Sequence, residues 1–163
     1  MDDILYTFPD RAFADWDTLH GLLAQSFAAM EARIDPPSSM TQLTPALLRD
    51  KAAEELLLTA RSGDRLVGTA FVKPHTDWAY VGKVAVAVDM RRRGISRRIF
   101  EIISAHGLAA GWRYVELQVR VELTENHATF GAFGYLKTGE SAHPGYDRPT
   151  SWTMRKSLTP ARA

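Results

Sequence analysis

The chain has no cysteine among its 163 residues, and its charges nearly cancel, with a formal net charge of +1. The absence of cysteine excludes disulfides, thiolate catalysis and cysteine-ligated metals. A near-neutral chain also lacks the overall basic field of a non-specific nucleic-acid binder. No apolar stretch is long enough to span a bilayer, and the acidic N-terminus does not resemble a signal peptide, so we expect a cytoplasmic protein with no membrane partner.

The composition that remains is typical of a globular protein. Hydrophobic residues make up 45% of the chain and charged residues 24%. No internal repeat or low-complexity linker divides the sequence, and its length suits one domain with a substantial core. The sequence therefore predicts a single domain over residues 1–163.

Hydrophobic periodicity and turn residues predict the element order β-α-α-β-β-β-α-β-α-β-β. The predicted strands are 4–8, 55–61, 65–74, 80–88, 113–121, 135–142 and 151–156, and the predicted helices are 10–30, 45–51, 95–110 and 125–133. The Pro- and Ser-rich stretch 33–45 is predicted to be irregular. A helical crossover joins strands 80–88 and 113–121, so we expect these two to be parallel within one mixed sheet of an α/β or α+β domain.

The strand at 80–88 is apolar on both faces. Simple alternation places Tyr80, Val84, Val86 and Val88 on one face, and Val81, Ala85 and Ala87 on the other. A strand of this kind is predicted to be central and covered on both sides.

The segment KVAVAVDMRRRGISRRIF, from Lys83 to Phe100, brings five arginines to the start of a predicted helix. A helix N-terminus carries partial positive charge and unpaired N–H groups, which disfavours cations unless an anion binds there. A strand, a glycine turn and a helix start together form a generic anion cradle. The alternative is a solvated basic turn. The segment is neither a P-loop nor a dinucleotide fingerprint, because the required glycine and lysine pattern is missing.

Arg91-x-x-Gly94-x-Ser96 resembles the Gln/Arg-x-x-Gly-x-Gly/Ala motif of the GNAT superfamily of N-acetyltransferases. The chain resembles a bacterial-type member of that superfamily. The apolar strand before the motif, the Ile-rich helix after it, the ELQVR strand and the late FGY lie at matching distances. The resemblance implies a mixed, mostly antiparallel sheet of about seven strands, with helices on both faces and a splay between strands 4 and 5. It also implies transfer of an acetyl group from acetyl-CoA to a primary amine.

The same resemblance implies which residues bind CoA. The turn would hold the pyrophosphate, and the preceding strand would pair with the pantetheine arm and polarise the thioester carbonyl. The implied residues are Val84, Ala85, Val86, Arg91, Arg92, Arg93, Gly94, Ile95, Ser96, Arg97, Arg98, Asn126 and Phe130. Ser96 departs from the usual Gly or Ala. Phe130 stands where many members carry a tyrosine general acid, and Leu123 where they carry an asparagine, whose role would pass to Asn126.

Transfer to an amine requires that the amine is neutral when it attacks, so the site needs a base, or a carboxylate acting through water, to accept its proton. The catalytic candidates are Glu116, Glu122, His143 and Tyr146, with Glu125, His127 and Asp147 as further candidates. Glu116 is alternatively a strand-edge or surface charge. The loop 143–152 is alternatively a turn folded by an Asp147–Arg148 salt bridge.

Arg33 and Asp35 are the candidate substrate contacts. Arg33 would bind a carboxylate of the acceptor, and Asp35 would bind an ammonium group. Alternatively, Asp35 is a structural cap, and the two prolines after it stiffen a connecting segment. No histidine pair has carboxylates at metal-binding spacing, so no metal is predicted.

Three functional hypotheses follow. The first is acetyl transfer to a small-molecule or peptide amine by direct attack in a ternary complex, because no cysteine can form an acyl-enzyme. The second is a non-catalytic CoA-binding or regulatory domain, which Phe130 favours. The third, a nucleic-acid-binding module using Arg91 to Arg98, is disfavoured by the near-neutral charge. Homodimers are common in the superfamily, so a homodimer is also an expectation.

Overall fold

The computed structural model describes residues 3–158, which form a seven-stranded sheet with helices on both faces. The strands are β1 (Ile4–Thr7), β2 (Leu56–Ser62), β3 (Arg65–Pro74), β4 (Trp78–Val86), β5 (Tyr114–Arg120), β6 (Leu136–Ser141) and β7 (Ser151–Ser157). The helices are α1 (Trp16–Glu31), α2 (Pro45–Glu54), α3 (Ile95–Ala110) and α4 (Thr124–Ala132), with 3₁₀ turns at Ser39–Gln42 and Val88–Met90. The predicted element order is confirmed.

The sheet has the spatial order β1-β2-β3-β4-β5-β7-β6. Every neighbouring pair is antiparallel except β4 and β5, which are parallel as predicted. None of the helices within residues 3–158 has the length and apolar character needed to cross a membrane.

The helix boundaries follow local hydrogen bonds. α1 begins at Trp16 rather than at residue 10, because the Asp10 carboxylate accepts from the Ala12 amide (2.8 Å) in a separate turn. α2 begins as predicted, with the Thr44 hydroxyl accepting from the Leu47 amide (3.2 Å). The stretch predicted to be irregular contains the 3₁₀ turn Ser39–Gln42.

The core lies on both sides of the sheet. On one face, Ile95 and Ile99 of α3 are buried over Gly68 of β3, where an added Cβ would lie 3.1 Å from Ile95 and 3.3 Å from Ile99. On the other face, Leu19 of α1 and Leu48 of α2 are fully buried. Each such side chain contributes about 1.5–3 kcal/mol by leaving water, and together they fix β3 and β4 between two helical layers.

β4 contains a bulge at Lys83, which has a φ of 51°. The register against β3 pairs Val81 with Val72 and Val86 with Gly68. Val72 and Gly68 are on the same face of β3, so Val81 and Val86 share a face as well. The prediction that they lie on opposite faces is wrong, because the extra residue of the bulge inverts the alternation beyond it.

β4 and β5 pair only at their first residues. The parallel ladder joins Trp78–Tyr80 to Tyr114–Glu116 and then ends, although β4 continues to Val86 and β5 to Arg120. β5 meanwhile stays paired with β7 along its whole length. The two strands therefore diverge, which confirms the predicted splay and opens a cleft between them.

Gly107 in α3 provides a test of the core. A Cβ at this position would lie 2.5 Å from Leu158 Cδ1 and 2.7 Å from Trp112 Cε3. We expect G107A to lower the free energy of unfolding by about 1–3 kcal/mol through overpacking. In G21A, a control in α1 where no atom lies within 4 Å of the new Cβ, we expect a gain of about 0.5–1 kcal/mol. Denaturant unfolding of both variants measures this, and a stabilised G107A would contradict the packing.

Candidate active site

The cleft between β4 and β5 encloses a cavity of about 850 Å³. Its walls include residues 80–84 of β4 and 117–120 of β5, and it is bordered by Phe27 of α1 and by Asn126 and Phe130 of α4. A cavity of this size and mixed polarity is typical of small-molecule sites.

The edge of β4 that faces the cleft offers backbone groups. Beyond Tyr80, β4 has no ladder with β5, so about every second amide or carbonyl of this segment points into the cleft. Val84 lines the cleft, and Val86 lines the next cavity along the strand. Ala85, between them, is buried and lines neither cavity. An extended ligand can therefore pair with this edge as a short extra strand.

A second cavity, of about 340 Å³, lies at the start of α3. Its lining is Val86, Met90, Arg91, Arg92, Gly94, Ile95, Ser96, Arg97, Thr129 and Phe133. Gly94 has a φ of 77° and precedes the helix without any side-chain cap, and Arg92 also has a positive φ of 65°. Left-handed residues before a helix turn successive N–H groups toward one concavity, which suits an anion.

The five arginines of this turn divide into two groups. Arg91, Arg92 and Arg97 line the second cavity, whereas Arg93 and Arg98 do not. Arg98 pairs instead with Glu101 at 3.4 Å. Within residues 3–158, none of the three lining arginines has a carboxylate at salt-bridge distance, so their charge is available to a bound anion.

The loop after α1 is fastened to the segment between β5 and α4. The Arg33 guanidinium donates to both carboxylate oxygens of Glu125, and the Asp35 amide donates to Glu122 Oε2 at 3.2 Å. Neither Arg33 nor Asp35 lines the cleft. These two predicted substrate contacts, and the candidate Glu122, bind other parts of the chain in this structure.

The same loop is fastened to the 143–150 loop. The Tyr146 hydroxyl donates to Asp35 Oδ1 at 2.5 Å, and Arg148 lies 3.4 Å from Asp35 Oδ2 rather than pairing with its neighbour Asp147. Tyr146 lines the cleft, but its hydroxyl proton is engaged, and this hydrogen bond raises the pKa of Tyr146. The three loops thus form a connected rim at the cleft.

Glu116 lies at the end of the β4–β5 ladder and does not line the cleft. Its Oε1 accepts from Arg155 Nε at 2.9 Å, and its side chain is 13% exposed. His127 stacks on Trp152 with ring centroids 3.8 Å apart. Neither of these candidates reaches the cavity.

Among the predicted base candidates, His143 is the one whose imidazole ring lines the cleft. Burial and then the positive charge of Arg120 lower the pKa of His143, with Glu122 opposing them. Its Nδ1 lies 2.5 Å from Thr150 Oγ1. Because the Thr150 hydroxyl can donate to the Ser141 carbonyl at 3.4 Å, Nδ1 can donate to Thr150, which leaves Nε2 with its lone pair.

Sequence reasoning missed four polar residues that line the cleft, Lys51, Glu55, Lys83 and Gln118. Lys83 Nζ donates to Ser39 Oγ at 2.8 Å, and burial, followed by the charge of Lys51, lowers the pKa of Lys83. One signal was available, because Lys83 carries the sole charge between residues 80 and 88. Among the described residues, no cluster of three or more His, Asp or Glu side chains could hold a metal.

Residues 16–135 match the family model described as Acetyltransferase (GNAT) family. The chain belongs to this family. A search of curated proteins found no match.

Solved structures with the same fold extend over nearly the whole chain. PaiA N-acetyltransferase from Thermoplasma acidophilum, in complex with coenzyme A, has a TM-score of 0.81 at 13% identity, covering 95% of this chain and 99% of that one. An aminoglycoside 6′-N-acetyltransferase complexed with coenzyme A has a TM-score of 0.75 at 16% identity, covering 98% and 99%. The ribosomal-protein-S18-alanine N-acetyltransferase from Escherichia coli has a TM-score of 0.71 at 16% identity, covering 98% and 97%.

The loop rim at the cleft gives a titration prediction. The hydrogen bond from Arg33 lowers the pKa of Glu125 from 4.5 to about 2. A depressed carboxyl pKa stabilises the fold above the unfolded value, and this contribution is lost as the pH falls from about 4.5 towards 2. We expect a carboxyl NMR titration to place the Glu125 midpoint near 2, and R33M to return it towards the ordinary value. R98M is the control, and an unshifted Glu125 in the wild type would contradict the pairing.

Proposed function

We propose that this acetyltransferase moves the acetyl group of acetyl-CoA to a primary amine, which attacks directly in a ternary complex. The observation that carries the proposal is the adjacency of two sites on β4, a strand edge in the open cleft at Val84 and a cationic cradle at Val86. An extended donor with a diphosphate at one end and a thioester at the other matches this arrangement. The CoA complexes among the similar structures support the same donor.

In this proposal, the chain holds the donor at two places. The amides at the start of α3, with Arg91, Arg92 and Arg97, bind the pyrophosphate through charge-assisted hydrogen bonds. The β4 edge pairs with the pantetheine arm, and the cleft-facing amides near the bulge donate to the thioester oxygen as charge develops there. Acetyl-CoA itself supplies an activated acetyl group and a thiolate leaving group.

His143 accepts the proton of the attacking amine in this proposal. Its lowered pKa keeps the imidazole neutral at neutral pH, and its ring lines the acceptor part of the cleft. Glu116, Glu122 and His127 do not line the cleft, and the Tyr146 proton is committed to Asp35.

The departing thiolate needs no protein acid in this scheme. Phe130 lines the cleft but has no proton to give. Tyr135 is nearby, with its ring 5.5 Å from that of Phe100, but it is 1% exposed and burial raises the pKa of its hydroxyl. A CoA thiolate is a fairly good leaving group, so protonation by water is sufficient.

The arginine turn provides the first test. We expect R92A and R97A each to weaken CoA binding about tenfold or more, because each removes a charge-assisted hydrogen bond to phosphate. R93A and R98A are matched controls from the same turn that do not line the cavity, and they should change affinity much less. Calorimetric titration with CoA gives all four values. Equal effects in both pairs, or none in either, would contradict the assigned pyrophosphate site.

His143 provides the second test. We expect H143Q to lower kcat by about 10²–10⁴-fold while leaving CoA affinity unchanged. In the wild type, kcat/KM should fall as the pH drops through a pKa below the ordinary histidine value of 6.5, because only the neutral ring accepts a proton. That acidic limb should vanish in H143Q. Acetyl-CoA binding without transfer to any amine would instead support a non-catalytic CoA-binding domain.

A further inference from the structure

The acceptor cleft has an excess of positive charge. Among the described residues, the charged side chains on its wall are three cations, Lys51, Lys83 and Arg120, and one anion, Glu55. Glu55 is neutralised locally, because its Oε2 lies 2.6 Å from Lys51 Nζ. Two cations remain for which the wall supplies no counter-charge.

Neither remaining cation contacts a carboxylate in the part of the chain that the structure describes. Lys83 Nζ donates to the neutral hydroxyl of Ser39 at 2.8 Å. The Arg120 guanidinium donates to the carbonyl oxygens of Pro36 (2.7 Å) and Pro37 (3.1 Å). Charges withdrawn from water are ordinarily paired with an opposite charge, since desolvation alone is costly.

Lys83 and Arg120 lie on opposite walls of the cleft, on β4 and β5. Burial, followed by the charge of Lys51 and then that of Arg120, lowers the pKa of Lys83, and Glu55 opposes this shift only in part. An anion between the two walls would relieve this repulsion. Apolar side chains of α1 and the loop after it, Phe27, Met30 and Ile34, line the same cavity and offer a surface for a hydrophobic group.

We propose that the acceptor is an amine that also carries a carboxylate, such as an amino acid with an apolar side chain, and that Lys83 and Arg120 bind this carboxylate. The inference rests on the proposed acetyl transfer. The amine nitrogen bonds to the acetyl carbon as the carbon–sulfur bond breaks, the amine proton passes to His143, and the thiolate leaves to be protonated by water. The products are the N-acetyl amino acid and CoA.

The same charges disfavour polycationic acceptors. An aminoglycoside or a polyamine would bring several ammonium groups to a wall that already has two uncompensated cations, and like charges at close range are repulsive. Aminoglycoside 6′-N-acetyltransferases are among the similar structures, but the acceptor end of this cleft has the wrong sign of charge for that substrate class.

The test compares matched acceptors with the wild-type enzyme and acetyl-CoA, following thiol release. The acceptors are leucine, leucinamide, isoamylamine, spermidine and kanamycin; the first three share one side chain and differ at the carboxylate. We expect kcat/KM for leucine to exceed that for leucinamide by about tenfold or more. The amide has the less basic amine, so ionisation of the amine alone cannot produce this preference. A preference for leucinamide, spermidine or kanamycin would overturn the inference.

The matched variant is K83Q, which removes the charge and keeps a group able to bond with Ser39. We expect it to reduce the leucine-to-isoamylamine ratio of kcat/KM by about tenfold, with CoA affinity unchanged. K137Q is the control, because Lys137 lies outside the cleft lining and pairs with Glu140, and it should leave the ratio unchanged. An unchanged ratio in K83Q would overturn the role of Lys83.

Calorimetric titration of leucine into the CoA complex separates this inference from the proposed function. Leucine binding that K83Q abolishes, without turnover of any amine, would overturn the transfer reaction and retain the carboxylate site. Turnover of amines without any preference for a carboxylate would retain the transferase and overturn the carboxylate site. Neither binding nor turnover would overturn both.

Discussion

The early end of the β4–β5 ladder is the constraint on which the rest of the site depends. β5 is paired with β7 along its whole length and β4 is paired with β3, so each strand has its backbone partner on the side away from the gap. Helices α1 and α3 pack against opposite faces of β4 and keep it extended beyond Tyr80. The open strand edge, the cavity and the access to the turn before α3 all follow from that divergence.

The element order and the arginine turn could be predicted because both are local signals. A helix or strand period, a glycine and a run of arginines are visible within a few residues of one another. The bulge at Lys83 could not be predicted in this way, because a left-handed, non-glycine residue in an apolar strand leaves no mark in the pattern. This one residue places Val81 and Val86 on the same face of β4, although simple alternation assigns them to opposite faces.

The loop rim at the cleft shows a second limit of sequence reasoning. Arg33 and Asp35 were sensible substrate contacts by residue type, but their partners lie 92 and 111 residues away, at Glu125 and Tyr146. Residue spacing does not predict such pairs, because they depend on how the three loops meet in the folded chain. Conversely, Lys83 is visible in the sequence as the sole charge between residues 80 and 88, but only the fold shows that it lines the cleft.

Phe130 and the positive charge of the cleft both bear on whether the proposed reaction needs a general acid. In the proposed reaction, a tyrosine at position 130 could give a proton to the departing thiolate, whereas Phe130 has none to give. Positive side chains in a partly desolvated cleft lower the energy of any anion formed there. In the proposed reaction, Lys83 and Arg120, which have no carboxylate partner among the described residues, would favour both a bound carboxylate and a leaving thiolate through one electrostatic field, and the reaction would have less need of an acid.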